Sequence, residues 1–304
     1  MPSLAVAPHA PLPEAGPRSP AEALKAILSR PDDQLDFARA KVTIDRLVDP
    51  GLDMRGVLAG IDRLTAAAWR LAGPAAGANA RLAALRRVIY EAGPWNHQRP
   101  FAYDHSNRNR DDVRIKLLAY YLGTRLGDCV SMPVLFLILA DKLGLRMTLA
   151  AAPNHLFLRW QRPDGEIVNL EATSGALPAR DEWIRLSRPM SDRAVASGMY
   201  LRSLTRHEAV AAMATTLLQH LMDSRRFEEA VAVSEIILRH NPRDGLTLAN
   251  QGNAFCGILQ AEFLDKYQSA FLIPLALRPR YLRLLQRNHA AFAAARALGW
   301  EHNG

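Results

Sequence analysis

Residues 127–144 read "GDCVSMPVLFLILADKLG", an apolar run that follows Asp128 and Cys129, one of only two cysteines in 304 residues. Pro133 fixes where this helix starts. It has no N–H to donate and is tolerated only in the first turn, which makes Val130 or Ser131 the cap. Cys129 then lies just outside that turn, where the helix dipole and free N–H groups favour a thiolate and could receive an oxyanion. A cysteine there is either a small packed residue or an activated nucleophile, and the segments that follow bear on the choice.

Downstream the hydrophobic period changes from helical to alternating. "LRMTLAAA", "HLFLRW" and "EIVNLE" are short and rich in strand formers, and the last two flank "QRPDG". Proline, aspartate and glycine in that order predict a type I turn followed by a residue at positive φ, a three-residue hairpin loop. With Arg162 and Glu166 flanking it, Phe157 falls opposite Glu171 and Arg159 opposite Asn169. His155 and Glu171 then share one face as diagonal neighbours, and Leu156, Leu158, Trp160, Val168 and Leu170 share the other. A slip by one residue would separate His155 from Glu171. Cysteine acyl transfer needs a thiol, a histidine that takes and returns a proton, and a polar group that orients the histidine. Cys129, His155 and Glu171 supply these, with Asn169 on the same face as the alternative orienting group.

The rest of the chain reads as helical. Ser19-Pro20-Ala21-Glu22 has the form of a capping box, and apolar residues recur at helical spacing from there to residue 126, broken at "DPG", "GPAAG" and "GPWNHQRPF". "YDHSNRNRDD" is a loop, and its His105 and the nearby His97 lack metal-ligand spacing. Residues 1–18 are proline-rich, without the pattern of a signal peptide, and read as a disordered tail. Residues 19–204 form a helical region plus the hairpin core. From Thr205 to the end the chain is helical again, with Leu217, Ala230, Pro242, Gly252 and Phe255 where tetratricopeptide repeats place such residues. Only about one and a half repeats fit, too few for a free-standing solenoid, so this tail is expected to pack on the core. Cys256, beside Phe255, reads as a packing residue.

With 49% hydrophobic and 22% charged residues the chain is globular, and its net charge of +8 is spread among acidic residues. No arginine–aromatic stripe marks a nucleic-acid surface, and "VLFLILA" is too short to span a bilayer. Two cysteines fit a reducing compartment, so a soluble cytoplasmic protein is expected.

"GDCVSMPVLFLILADKLGLRMTLAAAPNHLFLRW" with "GEIVNLEAT" resembles the transglutaminase-like branch of the papain-like fold, and the flanks are similar to its bacterial SirB-type subgroup. The resemblance implies a mostly helical α+β fold and a cysteine begun on a helix, a histidine on the next strand and an acid at the end of the one after. It assigns these roles to Cys129, His155 and Glu171. It further implies thioester chemistry on a protein or peptide, hydrolytic or acyl-transferring, with no cofactor and no metal. Glutamate replaces the usual aspartate, and Leu156-Phe157 replaces alanine and tryptophan. Members with proline at the Cys129 position imply the other possibility, a silent protein-binding scaffold.

Overall fold

The computed structural model describes residues 19–106 and 112–301. The proline-rich tail and the middle of the polar loop lie outside them. The Ser19 hydroxyl accepts the Glu22 N–H at 3.2 Å while Glu22 accepts the Ser19 N–H at 3.0 Å, so the helix Pro20–Leu28 starts on its capping box. Asp36 and Asp53 cap the next two helices, Phe37–Val48 and Met54–Ala72, and Ala78–Tyr90 follows. Their apolar stripes, including Val42, Ile61, Leu85 and Val88, are buried.

Helix does not run unbroken to residue 126. After Tyr90, glycine and proline residues break the pattern into 3-10 turns and a two-residue strand β1 (Ala102–Tyr103), which pairs in parallel with β2 (Leu126–Gly127). The pair is too short to leave an alternation in the sequence, but it aims the chain into Asp128 and Cys129. The helix Leu118–Thr124 lies between its two strands. An ion pair of Lys41 and Asp45, 2.7 Å apart and fully buried, secures the approach to that helix. Asp45 accepts the Leu118 N–H at 2.8 Å and Lys41 donates to the Lys116 carbonyl at 3.0 Å. Burial raises the Asp45 pKa, against the pull of Lys41 and the Leu118 N–H.

The helix Ser131–Lys142 is central. Every residue from Ser131 to Ala140 is buried, as expected of a helix apolar all round. It is packed between the N-terminal helices and an antiparallel sheet of β3 (Met147–Ala152), β4 (His155–Gln161), β5 (Ile167–Glu171) and β6 (Leu177–Ala179), in that order. Arg159 stands opposite Asn169, as the turn composition predicts, and the paired ladder ends at Leu158 and Leu170, one residue short of the expected pair Phe157 and Glu171. Gly165 has φ +91° and donates to the Arg162 carbonyl at 3.0 Å. Leu158, Trp160 and Leu170 join the main core, with Leu156 and Val168 at its margin. The opposite face is also covered: Ala150, Ala152 and Phe157 pack with Ile184 and Leu201 in a second, smaller core. This double cover keeps His155 and Glu171 largely out of water.

The tail starts on the Thr205–Glu208 capping box and continues as the helices Arg206–Met213, Thr215–Asp223, Phe227–His240, Gly245–Leu259 and Arg278–Ala297. Leu217, Val233 and Ile237 share one continuous core with Leu24, Leu28 and Phe37. Arg206 fastens the junction, lying over the Phe37 ring and donating to Asp141 at 2.8 and 2.9 Å and to the Leu35 carbonyl at 2.6 Å. Gly252 sits where a Cβ would meet the Phe292 ring at 2.7 Å, which lets the last two helices close on each other. Among the described residues no helix is long and apolar enough to cross a membrane.

Candidate active site

His155 is the first residue of β4, delivered there by the two-residue turn Pro153-Asn154. Proline followed by a residue at positive φ, here Asn154 at +52°, is the pattern of a type II turn. The His155 Nε2 lies 2.6 Å from Glu171 Oε2, and both residues are buried. Diagonal placement across the hairpin thus brings the pair into contact, with the extra methylene of glutamate absorbed in the reach.

Glu171 is held from its other side. Its Oε1 accepts the Thr173 N–H at 3.0 Å and the Thr173 hydroxyl at 2.7 Å, which gives "Glu-Ala-Thr" a physical role. Tyr90 donates to the Ala172 carbonyl at 2.8 Å and Arg86 to the Gly175 carbonyl at 3.0 Å, fixing the turn that follows. Burial alone would raise the Glu171 pKa, but the His155 and Thr173 hydrogen bonds outweigh it, so the carboxyl is held below its ordinary range. An ionised Glu171 makes Nε2 the protonated nitrogen of a neutral His155. Nδ1, buried and without a partner, is then the basic one.

Cys129 lines the same cleft as His155. It is half-buried, and its thiol donates to the Asn154 carbonyl at 3.5 Å, next to His155 in the chain. The helix begins where Pro133 predicts, at Ser131 with Val130 as cap. The dipole does not act on the thiol as expected, however. Asp128 Oδ1 accepts the N–H groups of Val130 and Ser131 at 2.9 and 2.8 Å, while the Ser131 hydroxyl accepts the Asp128 N–H at 3.0 Å. The carboxylate therefore occupies the helix N-terminus. Burial and the Asp128 charge push the Cys129 thiol up to about 11, against the smaller pull of Arg188 and Lys116.

Asn169 does not contribute an orienting group, because its amide donates to Asp181 at 2.6 Å. Cys256 is exposed rather than packed, on the outward side of a helix whose buried residue there is Phe255. His97 and His105 are exposed, and no cluster of potential metal ligands occurs among the described residues. Asp128, Lys116 and Arg188 escape sequence reasoning as site residues. Only Asp128 leaves a signal, an aspartate three residues before Ser131 at a helix start.

The cleft measures about 800 Å³ and extends well past the cysteine. One wall is formed by the turn before His155 and by Arg188 to Ser191. Leu246, Ala249, Asn250 and Asn253 also line the cleft, presenting one face of the helix Gly245–Leu259. Lys116, which also reaches Gln219 of the tail, closes a side. The tail thus completes the cleft as well as packing behind it.

Comparison with known proteins matches residues 55–231 to the transglutaminase-like superfamily. The chain is 28% identical over 134 residues to the UPF0162 protein YchA of Escherichia coli K12, covering 43% of this chain and 49% of that one. It is also 28% identical over 132 residues to Protein SirB1 of Salmonella typhimurium, with the same shares. The chain spans about half the length of these curated relatives. A solved structure of menin aligns over 94% of this chain and 83% of its own, at 14% identity and a TM-score of 0.37.

Proposed function

Because the chain belongs to the transglutaminase-like superfamily, we propose that it is a cysteine-dependent acyl transferase or amide hydrolase working through a thioester on Cys129. The observation that carries the reading is His155, tied through Nε2 to Glu171 at 2.6 Å, with its Nδ1 unpartnered in a cleft it shares with Cys129. A neutral thiol suits general-base chemistry. Cys129 Sγ attacks an amide carbonyl while its proton passes to His155 Nδ1, and Glu171 stabilises the imidazolium that forms. Collapse of the tetrahedral intermediate breaks the C–N bond, and His155 returns the proton to the departing amine. Water or an acceptor amine then attacks the thioester, again giving its proton to His155, and the thiol leaves.

The substrate in this reading is a protein or peptide, with the amide side chains of Asn250 and Asn253 in the same cleft suited to its main chain. The thiol chemistry fits the reducing cytoplasm. No residue is assigned to a cofactor. A second reading, a silent scaffold that uses the cleft and its repeat-like tail to hold a protein, draws on one observation: burial leaves the thiol un-ionised at neutral pH. Incubation with p-nitrophenyl acetate followed by intact-mass analysis separates the two. The enzyme reading expects one acetyl group on Cys129, absent in Cys129→Ala and strongly reduced in His155→Gln. An unmodified wild-type protein, or acetylation indifferent to His155, supports the scaffold.

A further inference from the structure

A second cavity, of about 300 Å³, opens beside the helix Met54–Ala72. Arg63 and Arg70 reach it from that helix, two turns apart and so on one face. Arg125 reaches it from the end of the helix Leu118–Thr124, where its backbone takes the left-handed conformation at φ +68°. The remaining wall carries His97 beside the apolar and aromatic Leu64, Leu122 and Trp95.

Nothing anionic answers these three charges. None of them has an ion-pair partner among the described residues, whereas Arg202, Arg206, Arg226 and Arg280 each hold a carboxylate. Arg125 instead lies over the Phe101 ring at 4.2 Å. Burial lowers its pKa most and the like charge of Arg99 next; Tyr121 pulls the other way, and the like charge of Arg63 is the smallest influence. The Trp95 indole N–H is buried and has no acceptor. Arg63 and Arg70 are exposed and Arg125 is half-buried, so their charged ends are open to an anion that enters the recess and accepts from them. Arginine forks match phosphate oxygens in geometry, and the cavity lies at the lower end of small-ligand pocket sizes.

We infer that the recess formed by Arg63, Arg70 and Arg125 is a binding site for the phosphate group of a small phosphate monoester. Trp95 supplies a further donor, and Leu64 and Leu122 face the organic part. The site is separate from the Cys129 cleft, with which it shares no lining residue. Arg125 nevertheless directly precedes β2, the strand that leads into Asp128 and Cys129.

The test is thermal denaturation of the full chain titrated with inorganic phosphate and with phenyl phosphate, at ionic strength held constant with sodium chloride. Both ligands should raise Tm saturably, by about 5 °C near saturation, with phenyl phosphate effective at lower concentration. Arg63→Gln and Arg125→Gln should each lose most of the phosphate response. An equal shift from chloride alone would reduce the effect to screening and overturn the inference, as would variants that keep the full response. Sedimentation with phosphatidic acid vesicles, if strong and lost in Arg63→Gln, would assign the recess to a lipid headgroup and contradict the small-ligand claim.

Discussion

Asp128 Oδ1 accepts the Ser131 N–H at 2.8 Å, so a carboxylate and not the neighbouring thiol occupies the N-terminus of the central helix. The arrangement suits the fold, since the cap ends an otherwise buried helix with its donors paired. It also sets the resting state of Cys129, whose thiol burial and the Asp128 charge push up to about 11.

Asp128→Asn separates the two effects. The amide oxygen can still cap, so stability should change by under about 1 kcal/mol, while removal of the charge should lower the pH at which Cys129 ionises. Alkylation rates against pH in a Cys256→Ser background check the second point and chemical denaturation the first. Asp128→Ala, which loses the cap as well, should cost about 0.5–2 kcal/mol.

Glu171 carries a pH signature with a definite sign. Its folded pKa lies below the ordinary value, so its contribution to stability is complete above about pH 4.3 and is lost as pH falls through the folded pKa. The stability difference between wild type and Glu171→Gln should therefore shrink as pH drops from 5 towards 3. A difference that stays flat over that range would deny the charged His155–Glu171 contact.

The hairpin and the helix start were legible because each rests on local chemistry. Alternation and the Pro-Asp-Gly loop fix the register that sets Arg159 opposite Asn169, and Pro133 admits only a start near Ser131. The role of Asp128 was hidden because a dipole argument places Cys129 near the positive end without saying which side chain takes the N–H groups. β1 and β2, two residues each, carry no period at all, and β6 is a three-residue strand containing Pro178. The exposure of Cys256 depends on which face the last helix covers, a tertiary fact. The participation of Asn250 and Asn253 in the cleft likewise depends on how the tail docks.

Lys41 and Asp45 form the fully buried ion pair behind the segment that leads to Lys116. Lys41→Met should destabilise by about 3–5 kcal/mol in urea unfolding, because it leaves a carboxylate buried without its partner. Adding Asp45→Leu should recover part of this but not all, since the Leu118 N–H then loses its acceptor. A single substitution without measurable cost would contradict the burial of the pair.

Truncation after residue 204 removes the helices that share a core with Leu24, Leu28 and Phe37. The fragment 1–204 should expose that surface and aggregate or melt without cooperativity. A soluble fragment with a sharp transition would show that the tail is an independent unit.

The proposed proton relay is tested by the pH profile of Cys129 alkylation in wild type and His155→Gln, both in a Cys256→Ser background. With His155 Nδ1 acting as general base, wild type should be alkylated faster than His155→Gln at neutral pH, while both rates rise towards the thiol pKa of about 11. Superimposable profiles, each with a single rise near 11, would mean that His155 does not serve the thiol and that the Cys129 site is not catalytic.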